Sequence, residues 1–408
     1  MSVCVIGAGF AGLAAAEALA DAGVRPIVLE ARDRVGGRVW SQRLENGAVI
    51  ERGAEFVERN QATLLATVQR LGLRLAPTGM SYSNREPRGF SISQPELQAT
   101  IEDLHARIRA RPDRGLGISA SRFLDEAAID DGARRVIAAR LQVTCAHPAD
   151  RLSARMLEHI SFVDSEGLRI AGGNQGVALG LAAKLGDAVH LSCPVQAVRW
   201  SDHGVRVQAA GTELEADACV VAVPVTALAG IRFEPPLPEW KQNALGRVAY
   251  GHAAKLFVPL GRPPAPSAVL NVREHFWTWT GRAGGDEVQP VANAFAGSAP
   301  ALARLRVADG PATWLESLRA LRPELDLQPE GTVLSTWSDD PWVRGAYSVR
   351  TTQTLPGDDE LLARPLSRLH FAGEHTAGAW SGLMEGALHS GRRAAQDILA
   401  TAENTQFR

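Results

Sequence analysis

No window of the 408-residue sequence holds about 18 uninterrupted apolar residues, the length a membrane-crossing helix requires, so no membrane partner is expected. Nor does one sign of charge dominate. Against 43 basic residues stand 45 acidic ones, with neither a lysine-rich tail nor a block of arginines interleaved with aromatics, and nucleic acid is not an expected partner. Cysteine is scarce. Cys4, Cys145, Cys193 and Cys219 show no C-x-x-C and no metal-ligand spacing, and Cys4 and Cys219 fall inside apolar, strand-like runs. All four read as small buried hydrophobes of a reducing compartment. His370, His375 and His389 lie before a strand, after it and on a helix, an arrangement that favours packing over ligation, so no metal is expected. Lysine is scarcest of the charged types: 40 of the basic residues are arginine, leaving Lys184, Lys241 and Lys255, whose settings therefore carry information. The opening MSVCVIG enters a strand-like run with no charged leader, which predicts a soluble, cytoplasmic protein.

The length and the 45% apolar content suffice for two domains and a sizeable core. SVCVI reads as a buried strand, GAGFAG as a turn opening a helix, LAAAEALADAG as that helix stopped at Gly23, and RPIVLE as a second strand ending at Glu30. Gly7, Gly9 and Gly12, enclosing Phe10 and Ala11, make G-x-G-x-x-G. Gly7 permits the tight turn, Gly9 lets the backbone approach a pyrophosphate, and Gly12 allows close helix-strand contact. Glu30 stands where a carboxylate accepts hydrogen bonds from ribose hydroxyls and repels a 2′-phosphate. Directly beyond Ala31 and Arg32, the residues Gly36, Gly37 and Arg38 offer a second phosphate-facing turn. That pairing suits a long, buried cofactor neutralised from more than one side, FAD rather than NAD.

Further on, the sequence predicts a short amphipathic helix over 64–72 and an Arg-rich stretch over 77–117. Within it QPELQATIEDLHARIRA forms a helix with Leu97, Ile101, Leu104 and Ile108 as one apolar stripe. Helices over 121–146 and 149–158 follow. AGGNQGVALGLAAKLG reads as a glycine turn and a helix ending at Gly186, and VHL, PVQAVRW, VRVQAA and DACVVAVPV read as strands returning to the first domain's sheet. Six of the nine tryptophans (Trp240, Trp277, Trp279, Trp314, Trp337 and Trp342) fall between Ile231 and Tyr347, as a second core or as the lining of an apolar pocket. The chain closes with a strand, a glycine-rich turn and a helix of about 18 residues, ahead of a frayed tail over 403–408. Lys255, in GHAAKLFVPL, sits among apolar strand neighbours and needs a carboxylate, water or a functional partner.

Taken together these motifs resemble the flavin amine oxidase family, which includes monoamine and polyamine oxidases and many L-amino-acid oxidases. The resemblance rests on VIGAGFAGLAAAEAL, LEARDRVGGRV, RGAEF, the AGG turn at 171–173, PVQAV, the isolated Lys255, WSDDPWVRGAY and FAGEHTAGAWSGLMEGALHSGRRAA; residues 81–166 match little. It implies FAD extended across the first domain. Gly7, Gly9 and Gly12 would lie at the pyrophosphate, and Glu30 and Arg32 at the adenosine ribose. Arg38, Gly53, Ala54, Glu55 and Phe56 would follow the ribityl and flavin path, with Val195 at the adenine. Gly373 and Glu374 would face the ribityl-pyrophosphate stretch, and Gly382, Leu383 and Met384 the pyrimidine end. Lys255 would hold a water beside flavin N5, Trp337 would stack near the flavin, and Tyr347 would form one wall of an amine-guiding cage, with Leu383 opposite and Trp342 in the same pocket. Ala346 stands where membrane-bound monoamine oxidases carry the cysteine that bonds to flavin, so FAD is expected to be noncovalent.

The expected fold is α/β: a Rossmann-like FAD domain built from 1–79, 171–230 and 348–408, with an α+β substrate domain from 80–170 and 231–347. The expected activity is oxidation of a small amine. Hydride passes from the carbon beside a neutral amine to flavin N5, the imine hydrolyses, and O2 returns the flavin to its oxidised form with release of H2O2. A monomer or homodimer is expected, and a neutral monoamine should outperform the matching amino acid. An L-amino-acid oxidase would need a pocket arginine, with Arg344 and the Arg-rich insert as candidates. A polyamine oxidase would need acidic residues, to which Asp339 and Asp340 could contribute. A flavoprotein desaturase or isomerase would not need Lys255.

Overall fold

The N-terminal strand Ser2–Ile6 is the centre of a five-stranded parallel sheet because the strands on either side are as apolar as it is. The order is Leu369–Phe371, Ala218–Val221, Ser2–Ile6, Arg25–Leu29, Val189–His190. The computed structural model that carries this fold describes residues 1–90, 92–160 and 166–406. The helix Phe10–Asp21 begins beyond Gly9 and ends just before Gly23, whose φ of +77° breaks it. It crosses the C-terminal helix Met384–Gln406 so closely that a Cβ on Gly391 would lie 2.1 Å from the Ala11 carbonyl oxygen. That C-terminal helix has 23 residues, so it takes up much of the tail expected at 403–408. Phe407 and Arg408 lie outside the described residues.

The structure corrects the assignment of PVQAVRW and VRVQAA. Their strands, Val195–Ser201 and Gly204–Ala209, join Thr212–Ala216 and Arg232–Glu234 in a separate four-stranded sheet. Alternating burial along Gly204–Ala209 is the pattern of a sheet wet on one face, whereas Ala218–Val221 is buried at every position and belongs to the parallel sheet.

A six-stranded sheet faces the parallel one across the molecule's main cavity. Its order is Val333–Thr336, Ala253–Pro259, Val291–Gly297, Phe276–Thr280, Ser267–Asn271 and Glu86–Arg88, antiparallel except for the last pair. Its register sets Lys255 opposite Phe295, and Phe295 opposite Trp277, so the three side chains form one row on one face.

Helix Gln94–Ala110 forms where its periodicity predicts, started by a capping box between Ser93 and Glu96 and buried along Leu97, Ile101, Leu104 and Ile108. The single helix expected over 121–146 is two, Ala120–Glu126 and Asp131–Cys145. Ala128 takes a left-handed φ of 53°, and the Asp130 carboxylate caps the second helix through the Ala133 amide (3.0 Å). Over 149–158 there is only a 3₁₀ stretch, Ala154–His159, capped by Ser153. The helices expected over 64–72 and after the AGG turn run over Ala62–Arg70 and Gly176–Leu185. Among the described residues no helix is long and apolar enough to cross a membrane.

Two of the three lysines are structural. Lys241 is fully buried and donates to the Leu361, Leu362 and Arg364 carbonyls (2.8, 3.1 and 2.7 Å), a cation closing the C-terminus of helix Asp358–Ala363. Burial, followed by the nearby Arg393 and Arg364, lowers its ammonium to about 7. Lys184 pairs with Glu17 at 3.1 Å.

Candidate active site

A cavity of about 670 Å³ runs from the carboxyl ends of the parallel strands to the face of the six-stranded sheet. Gly7, Glu30 and Ala222, which follow three adjacent parallel strands, line its near end. A Cβ on Gly9 would meet nothing within 4 Å, so the turn presents bare backbone to the cavity. Gly12 is the one member of the predicted cofactor set that does not line it. A Cβ there would lie 1.9 Å from the Gly7 carbonyl oxygen, so Gly12 brings helix and turn together. The Glu30 carboxylate accepts hydrogen bonds from the Ala8 and Arg32 amides (2.7 and 2.9 Å), fixing it at the rim beside Ala31. The Gly36 amide donates to the Ala8 carbonyl (2.9 Å), which lays the second glycine turn, with Gly37, alongside the first. These open glycine edges and the anchored carboxylate fit a dinucleotide.

Midway along the cavity Arg38, Glu374 and Gly382 form one network, though they stand more than 300 residues apart at the extremes. Arg38 Nη1 donates to the Ala346 carbonyl (2.8 Å) and to Glu374 Oε1 (2.9 Å). Glu374 Oε2 accepts from the Gly382 amide (2.7 Å) and from the Ser348 hydroxyl. Burial pushes the Glu374 carboxyl up, but Arg38, His375 and these hydrogen bonds outweigh it and hold it below the ordinary range. Gly382 has a φ of +80° and turns the chain so that Leu383 and Met384, at the start of the C-terminal helix, border the cavity. Gly53 is pressed between Arg38 and Trp337: its Cβ would lie 1.8 Å from the Arg38 carbonyl oxygen and 3.2 Å from the indole. Trp337 Nε1 donates to the Arg52 carbonyl (2.9 Å), which fixes the ring at the cavity wall. Ala54, Phe56, Val195 and Gly373 also line the cavity.

Lys255 is held rather than solitary. Its Nζ donates to Glu55 Oε2 and to the Glu51 carbonyl, each at 2.8 Å, and both Lys255 and Glu55 are buried at the cavity wall. Behind them Arg169 bonds Glu51 Oε1 (2.9 Å) and approaches Glu55 Oε1 (3.6 Å). Asn174 clamps the same segment by donating to the Ala54 and Glu55 carbonyls (3.1 and 2.7 Å). Burial, opposed by Arg169 and reinforced by Glu55, raises the Glu51 carboxyl. Glu55, expected along the flavin path, is thus also the counter-ion of Lys255.

The far arm is aromatic and gathers residues from both segments of the expected substrate domain and from the RGAEF motif. Trp277 and Trp279 stack at 4.2 Å, Phe56 stacks on Tyr82 at 4.9 Å, and Phe295 and Tyr347 complete the walls. Thr144, near the end of helix Asp131–Cys145, joins two of these elements: its carbonyl accepts from Tyr347 Oη (2.7 Å) and its hydroxyl from Arg85 Nη2 (2.9 Å). Burial pushes the Tyr347 phenol up. Tyr347 and Phe56 were marked by the family resemblance, the tryptophans by their richness over 231–347, and Arg85 only as part of the Arg-rich stretch; Tyr82 and Arg140 gave no signal.

Trp342 lines the same cavity as Tyr347, and its loop is tied on two sides: Asp340 pairs with Arg32, and the Thr226 hydroxyl donates to the Val343 carbonyl. Asp339 accepts from Thr336 (3.2 Å), so neither aspartate reaches the aromatic arm. Arg344, in the same loop, is exposed and borders the cavity. Leu383 does line the cavity, and the adjoining Gly382 approaches the Tyr347 ring, its Cβ position 3.6 Å from Cδ2. Burial lowers His370 and His375 to about 4, and among the described residues no group of three His, Cys, Asp or Glu side chains is placed to hold a metal.

The family described as flavin containing amine oxidoreductase matches residues 10–92 and 149–399. Putrescine oxidase of Kocuria rosea is 31% identical over 468 residues, covering 99% of this chain and 96% of that protein. Amine oxidase [flavin-containing] B of Homo sapiens is 27% identical over 454 residues, covering 97% and 86%. Among solved structures, wild-type putrescine oxidase bound to putrescine superposes with a TM-score of 0.84 at 27% identity, covering 98% of this chain and 99% of that one. Cyclohexylamine oxidase from Brevibacterium oxydans IH-35A shares the fold, with a TM-score of 0.87 at 23% identity over 98% of this chain and 99% of that one. A two-domain α/β fold, a glycine-edged dinucleotide cleft and a buried lysine in one cavity agree with these similarities, and the chain belongs to the flavin containing amine oxidoreductase family as an FAD-dependent amine oxidase.

Proposed function

We propose that the chain oxidises an amine carried on an apolar or aromatic body, using noncovalent FAD, and that O2 is the final acceptor. The observation that carries this reading is that one cavity joins Gly9 and Glu30 at one end to Lys255 and the stacked tryptophans at the other. Gly7, Gly9 and Arg32 would hold the pyrophosphate and nearby ribose, and Glu30 the ribose hydroxyls. Val195 would meet the adenine, and Arg38, Gly53, Ala54 and Glu374 the ribityl stretch. The amides at Gly382, Leu383 and Met384 would stabilise negative charge at the pyrimidine end. When bound, FAD supplies the two-electron acceptor for the hydride leaving the carbon beside the amine nitrogen, and O2 takes up the electrons to give H2O2. Water adds to the imine product, which falls apart to a carbonyl compound and ammonia or an amine.

Within this reading Lys255 orders water at the reacting face, Tyr347 and Leu383 confine the amine nitrogen, and the dry aromatic arm favours the neutral amine over ammonium. Ala346 at the wall supports noncovalent attachment, since a methyl group forms no thioether. The membership of the five-stranded and six-stranded sheets supports the two-body division over 1–79, 171–230 and 348–408 against 80–170 and 231–347, while the two-stranded pairings Leu75–Pro77 with Leu168–Ile170 and Ala249–Tyr250 with Ser348–Val349 cross it. Arg232–Glu234 and helix Glu239–Gly246, which packs on helix Asp358–Ala363, support a later start, after Gly246, for the last substrate segment. Engagement of Asp339 and Asp340 elsewhere weighs against a polyamine channel. The test is a peroxide-coupled screen of monoamines, diamines and amino acids with the purified yellow protein. Turnover of apolar amines supports the reading, and turnover confined to diamines contradicts it.

A further inference from the structure

Lys255, Glu55, Arg169 and Glu51 follow one another as a row of alternating charge, each of them buried. The lysine comes from strand Ala253–Pro259, the carboxylates from strand Val49–Glu51 and the loop beyond it, and Arg169 from strand Leu168–Ile170. Two of the three ammonium N–H groups go to Glu55 Oε2 and the Glu51 carbonyl. Among the described residues no further hydrogen-bond acceptor reaches the third, and the Trp279 and Phe257 rings lie 5.7 and 5.9 Å from Nζ. The Glu51 carboxylate is already engaged by Arg169, the Asn174 amide and the Ser41 hydroxyl (2.9, 2.8 and 2.7 Å). Glu55 is therefore the carboxylate that serves the lysine, and Asn174 fixes its backbone. Across the sheet Lys255 faces Phe295 and Ser335, neither of them charged. Arg52 turns instead to the Trp40 ring, 3.9 Å from its centroid, and to Ser335 (3.4 Å).

We propose that Glu55 is a positioning residue of the reaction: it holds the Lys255 ammonium charged and in one place at the cavity wall, so that a fixed cation serves the reduction of O2 at every working pH. The inference rests on the oxidase reading above. Oxidation of an amine leaves two electrons and one proton on the cofactor; O2 takes up these and one further proton from solvent, and departs as H2O2. Negative charge rests on the oxygen until that second proton arrives, and a cation already in place stabilises it without reorganisation. The charge on Lys255 depends on its neighbours. Without the Glu55 carboxylate, Lys255 and Arg169 share one counter-ion, Glu51, which Arg169 already bonds. A guanidinium keeps its proton, so the desolvated ammonium is the group that gives one up.

The test needs no substrate. FAD-loaded protein is reduced with dithionite and mixed with O2, and the return of the yellow absorbance is followed from about pH 6 to about pH 9. The unsubstituted protein should give a flat profile. Glu55→Gln should slow with rising pH, on the order of 10-fold over that range, and the midpoint potential of its FAD should fall over the same range relative to that of the unsubstituted protein. The double variant Lys255→Met, Glu55→Gln should be slow and flat, which assigns the ionisation to Lys255. Glu55→Asp, whose carboxylate is withdrawn by one methylene, should stay flat with a rate a few-fold lower. It covers the case in which Glu55→Gln fails to fold, and there an unchanged rate overturns the inference. Profiles and potentials in Glu55→Gln equal to those of the unsubstituted protein, with amines turned over, overturn the role of Glu55 and leave the oxidase reading standing. The pH effect without oxidation of any amine sinks the oxidase reading and leaves the role of Glu55.

Discussion

Glu55 and Lys255, 200 residues apart, meet as a buried ion pair at 2.8 Å, with the carboxylate drawn on its other side toward Arg169. The lysine's position therefore depends on a carboxylate from the motif RGAEF. Removing either partner leaves the other's charge buried with reduced compensation.

Lys255→Met should cripple turnover and should also destabilise the protein, by about 3–5 kcal/mol, because Glu55 loses its counter-ion. The double variant Lys255→Met, Glu55→Gln should recover a large part of that loss without recovering turnover. Denaturant unfolding of the FAD-saturated proteins measures the first effect and the peroxide assay the second. Equal stability of the single and double variants would show that the pair contributes nothing.

FAD should leave completely on denaturation. Acid or heat precipitation followed by washing should leave a colourless pellet, and flavin retained in it would contradict noncovalent attachment. Glu30→Gln should weaken FAD retention by roughly 1.5–3 kcal/mol through lost charge-assisted hydrogen bonds, measured as the dissociation constant of the reloaded apoprotein.

Glu374 gives a pH signature. Its folded-state carboxyl lies below the ordinary value of 4.5, so its contribution to stability is present above that pH and is lost as pH falls through the folded-state value. The stability gap between the unsubstituted protein and Glu374→Gln should be full at neutral pH and should narrow as pH falls below 4.5. A gap that widens in acid would contradict the network linking Arg38, Glu374 and Gly382.

Gly391→Ala should destabilise by about 1–3 kcal/mol and loosen FAD, because the added methyl meets the Ala11 carbonyl where the two helices cross. Thermal unfolding with and without FAD checks both effects.

Local features were the legible ones. The glycine triplet, Glu30 at the end of its strand and the stripe from Leu97 to Ile108 are set by backbone conformation and periodicity within a few residues, and the fold keeps them. The Tyr82 side of the aromatic arm was hidden because it is assembled by pairing at a distance: Glu86–Arg88 finds the edge of a sheet whose other strands lie beyond residue 250. The engagement of Asp340 was hidden because its nearness to Tyr347 in sequence says nothing of the ion pair with Arg32. A lysine among apolar residues signalled a partner, but which carboxylate would reach it is a property of the folded cavity.

The most direct measurement of the central claim is an anaerobic one. The FAD-loaded protein is mixed with an amine or amino acid substrate without O2, the yellow absorbance is followed, and O2 is then admitted. The account predicts that substrate bleaches the flavin fully, that O2 restores it with one H2O2 per flavin, and that Lys255→Met slows at least one of the two phases. A flavin that stays oxidised with every amine and amino acid tried would contradict the assignment of this cavity as the site of amine oxidation.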